Sequence, residues 1–250
     1  MYERRWDWEA DQLAVKYQLI VEERCLHQTM YYKNSNIMQY TIKYPYFWSN
    51  TYQTLAIKLN ALYRTKAVMY ERSNIRNMYQ MAMVEYENSV ANHYPIRQFE
   101  AYVNYTVSYN QNCFLSLYFD QYEYTGGAHG LTVRSSDTWN LQKSKRMELS
   151  DFFPMGKDYR EYLLQRIINS IHTEFSAGNS MYFEDYEQRV RESFQPNHFY
   201  LTEEGIAIYF QQYEIAPYAS GIPTFIIPYG PDGVIMPRCD TSAIRFHTKY

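Results

Sequence analysis

The residue with the widest chemical scope is His129. It stands in Gly126-Gly127-Ala128-His129-Gly130, and Gly126 is the first glycine of the 250-residue chain. A sequence that avoids glycine for half its length and then writes three in five positions needs freedom there, for unusual backbone angles or for close approach of another group. An imidazole on such a loop has two uses. With a carboxylate in reach, for which Asp120, Glu123 and Glu214 are candidates, it would act as a general base. Bonded to nearby backbone, it would lock the loop. The residues alone leave both open. No G-x-S-x-G elbow, Walker loop or G-x-G-x-x-G accompanies it. The six histidines, His27, His93, His129, His172, His198 and His247, stand apart without zinc-ligand spacing. No catalytic residue, metal or cofactor is expected. Cys25 and His27, two apart, form a pairing at chance level.

The second candidate is Ala216-Pro217-Tyr218-Ala219-Ser220-Gly221. It offers an aromatic ring on a proline-stiffened turn, a low-entropy contact of the kind binding surfaces use, or else a loop packed on a sheet end. Tyr118, Tyr122 and Tyr124 alternate along one strand face, as packing or as contact area. The expected ligand-binding set is Tyr124, Gly126, Gly127, His129, Gly130, Pro217, Tyr218 and Gly221. Tyr124 and Glu214 both read as strand ends, so the two loops are expected at one end of the structure.

The positioning elements follow from periodicity. Residues 12–44 read as extended, ending at Pro45. From there to Pro95 neither Gly nor Pro occurs. Leu55, Leu59 and Leu62, then Ile75, Met78, Ala82 and Tyr86, recur at helical spacing, with Ser49 as N-cap and a break near Ser73-Asn74. The leucines should face a sheet, with Lys58 and Arg64 toward water. After Pro95 the period becomes two: strands over 99–109, 113–124 and 131–140, the first pair turning at Asn110-Gln111-Asn112. Gln142-Lys143-Ser144-Lys145-Arg146 reads as a solvated basic turn. Tyr159, Leu163, Ile167, Ile171 and Phe175 make an amphipathic helix. A short helix near 184–194, a hairpin about Thr202–Gly205, a strand at Phe225–Ile227 and a surface tail from Pro228 complete the chain. The fold class is α+β, antiparallel sheets with packed helices, in two intimately associated modules, 1–145 and 146–250.

Composition excludes some functions. Lys+Arg 24 against Asp+Glu 27 gives a net charge of −3, with both signs interspersed. That balance lacks the basic face of a nucleic-acid binder. Twenty-nine tyrosines within an aromatic content of 18% supply area for a sizeable core. No apolar run approaches the roughly 18 residues of a membrane span. The charged N-terminus, without an apolar h-region, reads as cytoplasmic. Cys25, Cys113 and Cys239 are odd in number and far apart, and read as small apolar fillers or surface thiols.

The stretch from Ser116-Leu117-Tyr118-Phe119-Asp120 to Thr125-Gly126-Gly127-Ala128-His129-Gly130 resembles the signature of a bacterial domain pair. A second block is similar to it as well: Phe199-Tyr200-Leu201-Thr202, Gly205-Ile206, Tyr213 through Gly221, and Ile227-Pro228-Tyr229. Leu149-Ser150-Asp151-Phe152-Phe153 falls at a similar spacing between them. That pair forms the extracytoplasmic part of RsiV-type anti-sigma factors, which sense lysozyme. It also precedes the catalytic domain of PdaC-type peptidoglycan deacetylases. The resemblance covers roughly residues 35–230. It implies a recognition domain whose partner is a lysozyme-like protein or a cell-wall glycan, held by the GGAHG and APYASG loops, on the extracytoplasmic side. The deacetylase domain and its metal chemistry have no counterpart here. A hydrolase using His129 with a carboxylate is the alternative.

Overall fold

A computed structural model describes residues 18–178, 181–231 and 233–240. The expectations for residues 12–17 and 241–250 lie outside them. The first sheet contains β1 (Ile20–Tyr32), β2 (Ser35–Trp48), β3 (Phe99–Gln111), β4 (Phe114–Tyr124), β5 (Leu131–Asn140) and β6 (Lys145–Arg146), in that spatial order. Pairing is antiparallel except between β2 and β3, which run parallel over Met38–Ile42. Alternation reveals a strand but not its direction. A parallel return needs a long crossover, here α1 (Gln53–Tyr70) and α2 (Arg76–Asn92), joined by a π turn at Glu71–Ile75.

Two local expectations are corrected. Pro45 does not end the extended region; it lies inside β2 opposite Glu23. The β2–β3 ladder has stopped at Ile42, so a missing N–H on that side costs no hydrogen bond. The turn between β3 and β4 is Asn112-Cys113, not Asn110-Gln111-Asn112. Both carry positive φ, 53° and 65°, the two-residue geometry that matches strand twist. The antiparallel pairing itself runs from Glu100↔Tyr124 to Gln111↔Phe114, as period two requires.

The π turn has a geometric cause. Leu55, Leu59, Tyr63 and Ala67 are buried at steps of four, and each such step advances about 40° around a 3.6-residue helix. Left alone, the stripe would wind off the sheet. One wide turn absorbs the drift and returns Ile75, Met78 and Ala82 to the core. Polar anchors hold it there: Tyr40 Oη donates to Glu71 at 2.5 Å, Tyr70 Oη to Glu123 at 2.7 Å. It falls where the break at Ser73-Asn74 was expected. Ser49 Oγ accepts from Tyr52 N at 2.9 Å, one turn before α1 rather than as its cap. Leu62 is half-buried, while Lys58 and Arg64 are exposed. Leu59 is 1% exposed, so Leu59→Ala should cost about 2–5 kcal/mol. The check is a lower urea midpoint at unchanged slope; an unmoved midpoint would contradict the packing.

The second sheet, β7 (Phe199–Leu201), β8 (Gly205–Tyr209) and β9 (Thr224–Pro228), is antiparallel. Its core is closed by α3 (Tyr159–Ser176), capped by Asp158 accepting from Glu161 N at 3.1 Å, and by α4 (Tyr186–Ser193). The buried stripe of α3 is Leu163, Leu164, Ile167, Ile168 and Ile171. Tyr109 and Phe114, at the β3–β4 turn, belong to this second core. Polar groups stitch the seam. Ser116 Oγ accepts from Leu201 N at 2.9 Å. Arg134 forks onto Asp120 at 2.7 Å and lies 4.2 Å over the Tyr118 ring, which packs on Tyr200.

The cysteine expectation is overturned. Cys113 and Cys239 form a disulfide across 126 residues, and only Cys25 is free and exposed. Sequence distance hid this because the tail runs back to the β3–β4 turn and to the turn that follows β5. Gln142 and Asp240 bond in both directions, at 3.1 and 2.7 Å, and Ile235 N donates to Phe152 O at 2.8 Å. Cysteine at positive φ is uncommon; at Cys113 the tight turn and the cross-link coincide.

Candidate functional site

The GGAHG and APYASG loops lie against each other. The His129 ring stacks on Tyr218 with centroids 3.8 Å apart and planes 18° from parallel. Tyr213 completes the cluster, 6.0 Å from Tyr218 and 6.4 Å from His129. His129 Nδ1 is 3.0 Å from Gly130 O. A carbonyl oxygen only accepts, so Nδ1 carries the proton. In the neutral ring Nε2 then offers a lone pair, and Tyr213 Oη donates to it at 3.2 Å. Both nitrogens are engaged, and the imidazole locks its loop to the opposite one.

The three carboxylates considered for His129 are occupied elsewhere. Asp120 holds Arg134. Glu123 accepts from Tyr70 and, at 3.2 Å, from Asn74. Glu214 lies in a turn beyond β8 rather than at a strand end, and accepts from Gln211 N at 2.6 Å; burial pushes its pKa up. Among the described residues no three His, Cys, Asp or Glu side chains group as a metal site would require.

The loop glycines have different reasons. Gly126 takes φ +85° against Phe99. Gly130 is needed for close approach, since a Cβ there would run into the Tyr122 ring. Gly127 has neither constraint, which corrects the expectation that the loop glycines all serve backbone freedom. Tyr124 Oη donates to Gly127 O at 3.1 Å. Pro217 precedes a short 3-10 turn, Tyr218–Ser220, and Gly221 ends it at φ +64°.

Four contributors escaped the sequence. Arg97 donates to Gly126 O and reaches Gly127 O at 3.5 Å, clamping the loop from beneath. Gln212 Oε1 accepts from Thr132 N at 2.7 Å. Gln211 bonds both Arg134 N and Arg134 O, at 2.9 and 2.7 Å. These two amides act as a surrogate strand on the open edge of β5 and fix the second loop beside the first. Tyr213 is the fourth: it stands within the second block but was not in the expected ligand-binding set, and the adjacent Gln211-Gln212 was the available signal for the anchoring of its loop.

The other conspicuous imidazole, His198, is structural. It stacks on Tyr209 at 4.8 Å, and its buried Nδ1 has no hydrogen-bond partner among the described residues. Burial lowers its pKa. The unfolded chain takes up this proton near pH 6.5 while the folded chain resists. Stability should therefore fall as pH drops below about 6.5 and level off once the folded form protonates. His198→Phe should flatten the difference curve in that window; an identical slope in both proteins would contradict this.

Two family models match separate parts of the chain. Residues 32–132 match the family model described as Deacetylase PdaC, and residues 150–230 match that described as Protein of unknown function (DUF3298). The particular relatives follow the same division. The peptidoglycan-N-acetylmuramic acid deacetylase PdaC of Bacillus subtilis (strain 168) is 25% identical over 119 residues, 47% of this chain and 25% of that protein. The match thus spans about a quarter of that relative's length. A solved DUF3298 family member from Bacteroides fragilis shares the fold, with TM-score 0.65 and 20% identity over 86% of this chain and 92% of that one. A DUF3298 family protein from Pseudomonas aeruginosa PAO1 gives TM-score 0.56 and 16% identity over 89% and 97%. At these identities the structural likeness is one of fold. No helix among the described residues is long and apolar enough to cross a membrane.

Proposed function

We propose that this chain is a non-enzymatic recognition module, similar to the sensing part of RsiV-type proteins, and that it engages a lysozyme-like protein through the GGAHG and APYASG loops. One observation carries the reading: an accessible cluster of His129, Tyr213 and Tyr218 is pre-set by hydrogen bonds from its own framework. Rigid aromatic surfaces lose little entropy on binding. Leu131 and Val133, each 47% exposed on the strand that leaves the first loop, extend it with apolar area of the protein-contact kind. A cell-wall glycan is the second ligand, because open aromatic faces also stack on sugar rings. The hydrolase alternative draws no support from an imidazole whose two nitrogens are already bonded. The Cys113–Cys239 cross-link favours an oxidising, extracytoplasmic compartment over the cytoplasm.

The test is a pull-down with lysozyme and with muropeptides, beside a hydrolase screen, on wild type and His129→Ala. Lysozyme retention without hydrolytic activity is expected. An activity lost in His129→Ala while ligand binding persists would overturn the recognition reading.

A further inference from the structure

A cavity of about 360 Å³ opens where the two modules meet, and none of its lining residues belongs to the aromatic loops. That volume lies within the small-molecule range of about 300–1,000 Å³, and module boundaries are a preferred place for such sites. Its walls combine a basic, an acidic and an amide side chain, Arg146, Glu148 and Asn197, with the hydroxyl of Ser150 and the rings of Tyr159 and Phe199.

The two charged groups are pre-set. Arg146 Nη2 lies 2.7 Å from Asp137 Oδ1 and donates to Ser136 O at 3.2 Å. Asp137 is only 4% exposed and is itself fixed by Lys66 at 2.7 Å, so the guanidinium is anchored on a buried, immobile carboxylate. Its Nη1 and Nε N–H groups are left to a ligand. Glu148 accepts from the Asp151 N–H in a reciprocal capping box, and a carboxylate has acceptor sites to spare. Tyr159 is held by its stack on Phe153 at 5.4 Å.

The fixed charges are one of each sign, with Arg146 already paired, so neither an anion nor a cation has a clear advantage. What fits is a neutral molecule with neighbouring hydroxyl donors and acceptors on its rim and C–H groups on its face. Nη1 and Nε of Arg146 suit single hydroxyl oxygens, Glu148 and Asn197 suit hydroxyl hydrogens, and the half-buried Tyr159 ring suits an apolar face. We infer that this cleft binds a carbohydrate of one or two sugar rings. The site is separate from the loop surface and does not depend on the reading given to it.

The experiment is a titration of N,N′-diacetylchitobiose into the ¹⁵N-labelled full chain, with inorganic phosphate as a second probe. Amide shifts at residues 146–150 and 196–199 are expected. Asn197→Ala and Glu148→Gln should each weaken the sugar about tenfold, the loss of one hydrogen bond to it. Val84→Ala, an exposed position on α2 outside both surfaces, should leave it unchanged. Asn197 is exposed and its bond to Ser136 uses backbone oxygen, so that variant should fold. Unmoved cleft amides, shifts at 126–130 and 213–221 instead, or a stronger response to phosphate would each overturn the inference.

Discussion

Cys239→Ser should destabilise the protein by about 5 kcal/mol, the entropy that a 126-residue closure removes from the unfolded chain. A domain's whole stability is typically about 5–15 kcal/mol, so the variant should stand near its folding threshold. The tail would also lose its attachment to the Asn112-Cys113 turn, where both residues hold positive φ. Urea denaturation reads the effect. Reducing agent on the wild type should reproduce the loss, and Cys25→Ser should not. A shift below about 1 kcal/mol would mean that the unfolded chain keeps these ends together without the bond.

The second large effect concerns the aromatic cluster. Tyr218→Ala should raise the dissociation constant for lysozyme by about thirtyfold or more, the range of a buried aromatic anchor. From sequence, Pro217 and Tyr218 rank above His129, since ring area and restricted entropy outweigh a lone imidazole. The 3.8 Å stack narrows that ranking. His129→Ala removes the surface against which Tyr218 is held, so it should weaken binding about tenfold by mispositioning the ring. The double variant should then bind no worse than Tyr218→Ala alone, because the two residues act as one unit. Strict additivity in calorimetric titrations would refute the coupling.

Much of this was legible in the chain, and the failures share a cause. The period-two runs placed β3, β4 and β5, and the step-of-four stripes placed α1, α2 and α3, because burial on one face writes itself into local spacing. The break at Ser73-Asn74 was visible as well, though not its identity as a π turn. What spacing cannot encode is contact between distant segments. The parallel seating of β2 on β3, the Cys113–Cys239 bond and the clamp of Arg97 on Gly126 all join residues that no local pattern relates. The same holds for the site. Glycines and aromatics marked the two loops, but Gln211 and Gln212 fix them in place by imitating a strand. That role depends on the free edge of β5, which exists only in the folded sheet.

If the two loops form one recognition surface, lysozyme must cover both at once. Amide hydrogen exchange of the chain, with and without lysozyme, tests it most directly. Slowed exchange is expected only at residues 124–131 and 211–221, with the outer edge of β1 unchanged. Protection elsewhere, or none at lysozyme concentrations well above those that saturate the pull-down, would contradict it.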